Sequence, residues 1–163
     1  MDAVSPAQRV LELKEEGNDL FRRGEMELAK AKYTTALAVE ERSVLFANRA
    51  ACHAKLGSHD DVITDCTRAL ELDETYVKAL VRRAAAYEAL DKLDAAIADL
   101  ERAGKNTDRL TRKRHHRDQD LKDEAVGKLK DLGNSLLGNF GLSLDNFQVQ
   151  EGEGGGYSIS YNP

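Results

Sequence analysis

The chain has 163 residues, a length that suits one compact domain or an array of small repeats rather than two catalytic lobes. Hydrophobic residues make up 41% and charged residues 33%, with two prolines and no tryptophan, which favours an all-α fold. The formal net charge of −5 gives nucleic acid no general electrostatic surface to bind. No stretch approaches the ~20 apolar residues that cross a bilayer, so we predict no membrane partner and, by default, a cytoplasmic location.

The first predicted helix begins at Ser5-Pro6. A capping hydroxyl there precedes a proline at the first helical position, where the missing N–H costs nothing. The segment Leu13 to Asn18 then opens an amphipathic helix.

Small side chains recur along the chain at a nearly fixed interval. Ala29, Val62 and Ala96 stand 33 and then 34 residues apart. Two further columns have the same intervals: Gly17, Ala50 and Ala84, and Ala36, Ala69 and Ala103. Within each unit the apolar spacing is helical, and a polar break at Gly24, Gly57 or Asp91-Lys92 divides it into two helices. Because one hairpin cannot bury its apolar face alone, we expect three hairpins to stack around a shared core, with the first two small columns facing each other.

These columns resemble those of the tetratricopeptide repeat family, whose unit of ~34 residues carries small and aromatic residues at these offsets. The resemblance implies three stacked helical hairpins within residues 1–105, at about 10–43, 43–76 and 77–105. The first unit is one residue shorter, which predicts a tighter turn near Glu40-Glu41-Arg42.

Residues 106–138 are predicted to form one long capping helix. The run from Asn106 to Asp120 is polar, and apolar residues then return at helical spacing: Leu121, Ala125, Leu129, Leu132 and Leu136. We expect this second half to pack on the last repeat or on the tail. The basic run Arg112–Arg117 is interpreted as a solvated helix segment rather than a metal site, and a surface for an acidic partner is the alternative.

Residues 139–163 form a glycine-rich tail. Alternating segments at Phe147–Gln150 and Tyr157–Tyr161 flank a cluster of glycines, which predicts a small β-hairpin, with a flexible tail as the alternative. The amino-acid sequences of three segments resemble the carboxyl end of the tetratricopeptide repeat protein one family: Lys128–Asn134, Phe140–Ser143 and Asp145–Phe147.

Five hydrogen-bond donors are expected to converge in a groove between the repeats. Lys14 and Asn18 are four residues apart on the first helix of the first unit, Asn48 follows in the second, and Lys78 and Arg82 repeat the spacing in the third. Residues four apart share a helix face, and stacking brings the three helices side by side. Such donors need an anionic ligand, and a chain end in Asp supplies two carboxylates. The alternative for each residue is a solvated helix face.

The arrangement resembles the carboxylate clamp of chaperone-binding repeat domains. That resemblance implies that Lys14, Asn18 and Asn48 hold the terminal carboxylate of the seventy- and ninety-kilodalton heat-shock chaperones, and that Lys78 and Arg82 reach the aspartate side chain or the preceding acceptors. It also implies room for the partner's apolar residue at Ala51 and Ala54, with Lys55 nearby.

The leading hypothesis is therefore a co-chaperone or adaptor that binds acidic C-terminal peptides. The alternative is a scaffold whose main partner, a further signalling or client protein, binds the convex face or the tail. An enzyme is not expected: Cys52 and Cys66 are interpreted as reduced core thiols, and the sequence has no phosphate loop, nucleophile elbow or metal-ligand set, so no catalytic residue, metal or cofactor is assigned.

Overall fold

A computed structural model of the chain describes residues 5–151 and 157–161. The helices of the described part are α1 Pro6–Arg22, α2 Met26–Val39, α3 Ser43–Leu56, α4 His59–Leu72, α5 Val77–Ala89, α6 Leu93–Arg102 and α7 Asp108–Gly138. A 3-10 turn at Leu144–Asn146 precedes strands β1 Phe147–Glu151 and β2 Tyr157–Tyr161. The chain divides into a unit ending at Arg114 and a second unit from His115.

The first helix begins where the sequence predicts. The Ser5 hydroxyl accepts a hydrogen bond from the Gln8 backbone N–H at 3.2 Å, and Pro6 occupies the first helical position. The hydroxyl thereby satisfies one of the backbone donors that a helix leaves without a partner at its N-terminus.

Helices α1 to α6 form the three predicted hairpins, pairing as α1 with α2, α3 with α4, and α5 with α6. Each hairpin turns through one residue of positive φ at equivalent positions: Gly24 at 82°, Gly57 at 78° and Asp91 at 55°. Glycine adopts this left-handed conformation without steric cost, which explains the breaks seen in the sequence. The first inter-hairpin connection, residues 40–42, is one residue shorter than residues 73–76, as predicted.

The predicted small columns lie in the core. Gly17, Ala50 and Ala84 are buried, as are Ala29, Val62 and Ala96. At Gly17 the close approach involves an aromatic ring: a Cβ there would stand 2.6 Å from Cε1 of Tyr33. The requirement for glycine in the first repeat therefore comes from the ring of Tyr33 on α2.

An ion pair joins the two helices of each hairpin, and periodicity of apolar residues did not predict it. Arg49 donates two hydrogen bonds to the Asp65 carboxylate at 2.7 and 2.8 Å, and Arg83 holds Asp99 at the same distances. Asp65 and Asp99 are each only 4% exposed. At the equivalent positions of the first hairpin the charges are reversed, with the Lys32 ammonium 2.5 Å from a Glu16 oxygen.

The same two arginines also join neighbouring hairpins. Arg49 Nη1 donates to the Thr34 hydroxyl at 3.1 Å, and Arg83 Nη1 donates to the Thr67 hydroxyl at 2.9 Å. Each guanidinium therefore bonds its own hairpin and the preceding one, which uses the planar fork of donors that lysine lacks.

The first turns of α7 cover the third hairpin. Leu110 is 2% exposed and packs in a cluster with Ala84, Leu93, Ala96 and Ile97. Three ion pairs surround this contact: Arg109–Glu88 at 2.6 Å, Lys113–Asp91 at 3.8 Å and Arg114–Asp94 at 2.8 Å. Part of the basic run that the sequence presents as solvated is thus paired with carboxylates of the third hairpin.

In the second unit the tail packs on α7, but not on the predicted leucine stripe. The Leu144 side chain lies 2.6 Å from where a Gly133 Cβ would stand, and the Asn134 side-chain oxygen accepts from the Leu144 N–H at 2.6 Å. The stripe is instead exposed, at 57%, 67%, 59% and 62% for Leu121, Leu129, Leu132 and Leu136. The predicted packing of the second half of α7 on the tail is therefore present at Gly133 and Asn134, whereas the side chains of the four leucines stay exposed.

The predicted hairpin of the tail is present. Strands β1 and β2 pair antiparallel, with Phe147 opposite Tyr161 and Val149 opposite Ile159. The glycine-rich turn predicted between them lies outside the described residues. Within residues 5–151 and 157–161, no helix combines the length and hydrophobicity needed to cross a membrane.

Candidate functional site

The first helices of the hairpins bring two of the predicted donors into direct contact. The side-chain oxygen of Asn18 on α1 accepts from Asn48 Nδ2 on α3 at 3.2 Å and from the Tyr33 hydroxyl on α2 at 2.8 Å. Because this oxygen accepts two hydrogen bonds, the orientation of the Asn18 side-chain amide is defined, and its other end is the NH₂ group, a hydrogen-bond donor. Burial raises the pKa of Tyr33 to about 12, which keeps this hydroxyl protonated.

Arg82 lies beside these amides. Its Nη1 donates to the Ala47 carbonyl at 2.6 Å, which ties α5 to α3 and leaves other guanidinium N–H groups for a ligand. Asn18, Asn48 and Arg82 together line a surface cavity of about 310 Å³. The remaining lining residues are Phe21, Arg22, Tyr33 and Ala51.

Lys14 is connected to Asn18 through the carboxylate of Glu15. Its ammonium lies 3.2 Å from one oxygen of Glu15, while Asn18 Nδ2 donates to the other Glu15 oxygen at 3.3 Å. The Lys14 ammonium, followed by the Asn18 amide, lowers the pKa of Glu15. A carboxylate of the chain itself thus already bridges two of the five predicted donors.

Lys78 lines a neighbouring cavity rather than the first one. That second cavity also contains Arg82, so the arginine belongs to both. Of the smaller predicted set, Ala51 lines the first cavity, whereas Ala54 and Lys55 are exposed on the last turns of α3 and line neither. The structure therefore brings Asn18, Asn48 and Arg82 to one cavity, whereas Lys14 contacts Glu15 and Lys78 lines the second cavity.

Sequence reasoning missed several residues of the site. Phe21, Arg22 and Tyr33 contribute to the first cavity, and Glu15 contacts two of the donors. Arg22 could have been found, because it continues the four-residue spacing of Lys14 and Asn18 by one more turn. Tyr33 could not, because its ring is a core residue and only its hydroxyl reaches the amides.

The polar groups of the site are side-chain amides and cations, which are hydrogen-bond donors of the kind that suits an anionic ligand. Charge-assisted hydrogen bonds to a carboxylate contribute about 1.5–3 kcal/mol each.

Burial raises the pKa of the Cys52 thiol to about 11 and that of Cys66 to about 12, so both thiols are protonated near neutral pH. Among the described residues, no three His, Cys, Asp or Glu side chains are grouped as metal ligands.

Comparison with known proteins identifies relatives of the repeat region. No protein-family model matches the chain. The human mitochondrial import receptor subunit TOM34 is 48% identical over 99 residues, which cover 55% of this chain and 32% of TOM34. The chain therefore spans about a third of the length of this curated relative.

Two solved structures resemble the repeat region and contain peptides. The second TPR of Spaghetti (RPAP3) bound to the HSP90 peptide SRMEEVD is 36% identical with a TM-score of 0.58, covering 59% of this chain and 90% of that one. The second TPR domain of human RPAP3 in complex with the HSP70 peptide SGPTIEEVD is 35% identical with a TM-score of 0.59, covering 61% and 83%.

Proposed function

Because the chain belongs to the tetratricopeptide repeat family, we propose that it is a co-chaperone or adaptor that binds acidic C-terminal peptides of the HSP90 and HSP70 type. The observation that carries the proposal is the contact of Asn18 with Asn48 beside Arg82 in one cavity. Peptide-bound structures 35–36% identical to the chain support the choice of ligand.

In this proposal the terminal main-chain carboxylate binds the amide donors of Asn18 and Asn48 together with Lys14. The guanidinium of Arg82 and the ammonium of Lys78 bind the aspartate side chain or the preceding acceptors. Ala51 leaves space for an apolar side chain of the peptide. The chain then acts by binding and not by catalysis, which the protonated, buried thiols support.

The test is a calorimetric titration with a peptide ending in Glu-Glu-Val-Asp as the free acid and as its C-terminal amide. We expect a micromolar dissociation constant for the acid, about −8 kcal/mol, and a loss of about 10-fold or more for the amide. Lys78→Ala should also weaken binding of the acid about 10-fold, whereas Lys92→Ala, which removes an exposed lysine on the turn before α6, should not. Equal affinity for acid and amide would exclude the proposal.

A second candidate function is a scaffold whose main partner binds the second unit. The exposed leucines of α7 favour it, since stripes of this size on a helix are usually buried. Replacing Leu132 and Leu136 by glutamine and repeating a pull-down from lysate tests it. Loss of a partner with unchanged peptide affinity would support the scaffold, and retention of every partner would oppose it.

A further inference from the structure

The second half of α7 carries a leucine stripe, a row of exposed apolar side chains on one face of the helix. Its members are spaced by four, four, three and four residues, which places them on that face: Leu121, Ala125, Leu129, Leu132 and Leu136. Phe140, two residues after the end of α7, is 80% exposed. An apolar patch of this kind, on the order of 500 Å², usually marks an interaction surface.

This part of α7 also needs packing in order to be stable. Gly127 and Gly133 lie inside the helix, and glycine is second only to proline in destabilising a helix interior. The tail contacts α7 at Lys130, Gly133 and Asn134, whereas the leucine stripe remains exposed. Since most helical stability in proteins comes from burial of an apolar face, we infer that the stripe is covered by a partner.

The leucine stripe is complementary to itself, which identifies that partner. Apolar residues mirror one another about a midpoint between Lys130 and Asp131: Leu129 with Leu132, Ala125 with Leu136, and Leu121 with Phe140. Two antiparallel copies of this segment therefore place an apolar residue opposite an apolar residue at every level. A two-fold dimer requires a surface that is self-complementary in this way.

The sizes of the side chains favour the antiparallel orientation. In that orientation the small Ala125 of one copy lies opposite Leu136 of the other, so large and small side chains alternate across the interface. In a parallel pair, Ala125 would face Ala125 of the second copy and leave a void. Lys122, seven residues before Leu129, would then face Lys122 of the second copy, and the two like charges would repel each other.

We propose that residues 121–140 pair antiparallel with the same residues of a second copy of this chain and form a two-fold dimer. Leu129 and Leu132 lie at its centre, and Phe140 of each copy covers Leu121 of the other. The stripe is smaller than the ~800 Å² per partner of a typical stable interface, so the dimer is weak, with a dissociation constant of about 10–100 µM. This dimerisation does not depend on the proposed peptide binding.

Sedimentation equilibrium of the full chain at concentrations from about 1 to 300 µM tests the dimer. The mass should rise from 18.0 kDa towards twice that value as the concentration increases. The double variant Leu129→Gln with Leu132→Gln should stay monomeric and remain folded by circular dichroism, because both side chains are exposed in the monomer. Leu28→Gln, which replaces an α2 leucine that is 55% exposed, is the matched control and should dimerise like the wild type.

Cysteine cross-linking tests the orientation. A mixture of Ala125→Cys and Leu136→Cys chains under mild oxidation should form a disulfide between the two variants. Ala125→Cys alone should form none, because its two thiols would lie on the order of 15 Å apart along the helix axis, beyond the reach of a disulfide. The natural thiols of Cys52 and Cys66 are buried and should not compete.

A wild-type chain that stays monomeric at every concentration would overturn the dimer and leave the leucine stripe to a different partner. A double variant that dimerises as tightly as the wild type would overturn the role of the stripe, and so would assemblies that grow beyond two copies. Disulfides formed by Ala125→Cys alone would contradict the antiparallel register.

Discussion

Glu15 shows how a single side chain sets the free state of the candidate site. Its carboxylate contacts the Lys14 ammonium and the Asn18 amide, which are donors proposed for the ligand's terminal carboxylate. A ligand must displace this carboxylate, and the two negative charges also repel each other. The pair is exposed to solvent, so the attraction that the ligand must overcome is weak.

We therefore predict that Glu15→Gln increases affinity for a free-acid peptide by about 2- to 5-fold. The neutral amide keeps the size and helix propensity of the side chain but no longer competes as an anion. Peptide titration measures the change, with Glu27→Gln on α2, another exposed ion-pair carboxylate, as the control. A weaker affinity would mean that Glu15 mainly orients the donors instead of competing for them.

The packing of α1 against the Tyr33 ring can be tested by replacing Gly17 with alanine. Alanine normally stabilises a helix interior relative to glycine by about 0.5–1 kcal/mol. At this position the added Cβ would stand 2.6 Å from the ring of Tyr33, which is 2% exposed. The steric term should win, and we predict that Gly17→Ala lowers the free energy of unfolding by about 1–3 kcal/mol.

Urea unfolding followed by circular dichroism measures this loss. Gly127→Ala on α7 is the matched control, because nothing lies within 4 Å of the added Cβ, and it should not destabilise. In a Tyr33→Leu background, which frees the space, Gly17→Ala should cost much less. Additive losses in the double variant would contradict the clash.

At the scale of the elements, the three inter-helix ion pairs occupy equivalent positions but differ in burial. Asp65 is 4% exposed, whereas the side chains of Lys32 and Glu16 are 41% and 45% exposed. Asp65→Asn removes the buried carboxylate that the Arg49 guanidinium contacts, and we predict a loss of about 3 kcal/mol. Lys32→Gln should cost much less, because both side chains of its ion pair are exposed. Similar losses in urea unfolding would show that burial does not decide the difference.

The contact between α7 and the third hairpin should depend on pH. The Arg109 guanidinium lowers the pKa of Glu88 from its ordinary value of 4.5. A carboxyl whose folded pKa is depressed stabilises the fold above that ordinary value, and the stabilisation is lost as the pH falls through the lowered one. Glu88→Gln should therefore be slightly less stable than the wild type at pH 7, and the two should converge at lower pH. A constant difference across that range would rule out the ion pair as the cause.

The hairpins could be predicted from the sequence because small residues recur wherever two helices approach closely, and glycine recurs at the turns. The ion pairs were not predicted, because the residue types are not kept in all three repeats: arginine and aspartate recur in the second and third hairpins, whereas Glu16 and Lys32 reverse the charges in the first. The five donors were predicted from four-residue spacing. Their separation into two cavities depends on side-chain contacts such as Arg82 with the Ala47 carbonyl, which spacing does not specify.

At the scale of the whole molecule, two electrostatic effects oppose each other in peptide binding. The net charge of −5 repels an acidic peptide at long range, whereas Lys78, Arg82 and Lys105 attract it at the groove. At 0.1 M salt the Debye length is about 10 Å, so distant charges are largely screened and the local cations dominate.

We therefore predict that raising the NaCl concentration from about 50 to 500 mM weakens binding of a free-acid peptide ending in Glu-Glu-Val-Asp about 3- to 10-fold, since added salt also screens the contacts at the groove. The salt dependence should be shallower for Lys78→Gln than for the wild type, and unchanged for Lys92→Gln. Titrations at four salt concentrations give the slopes. Affinity that rises with salt would show that the net negative charge of the molecule outweighs the cations of the groove.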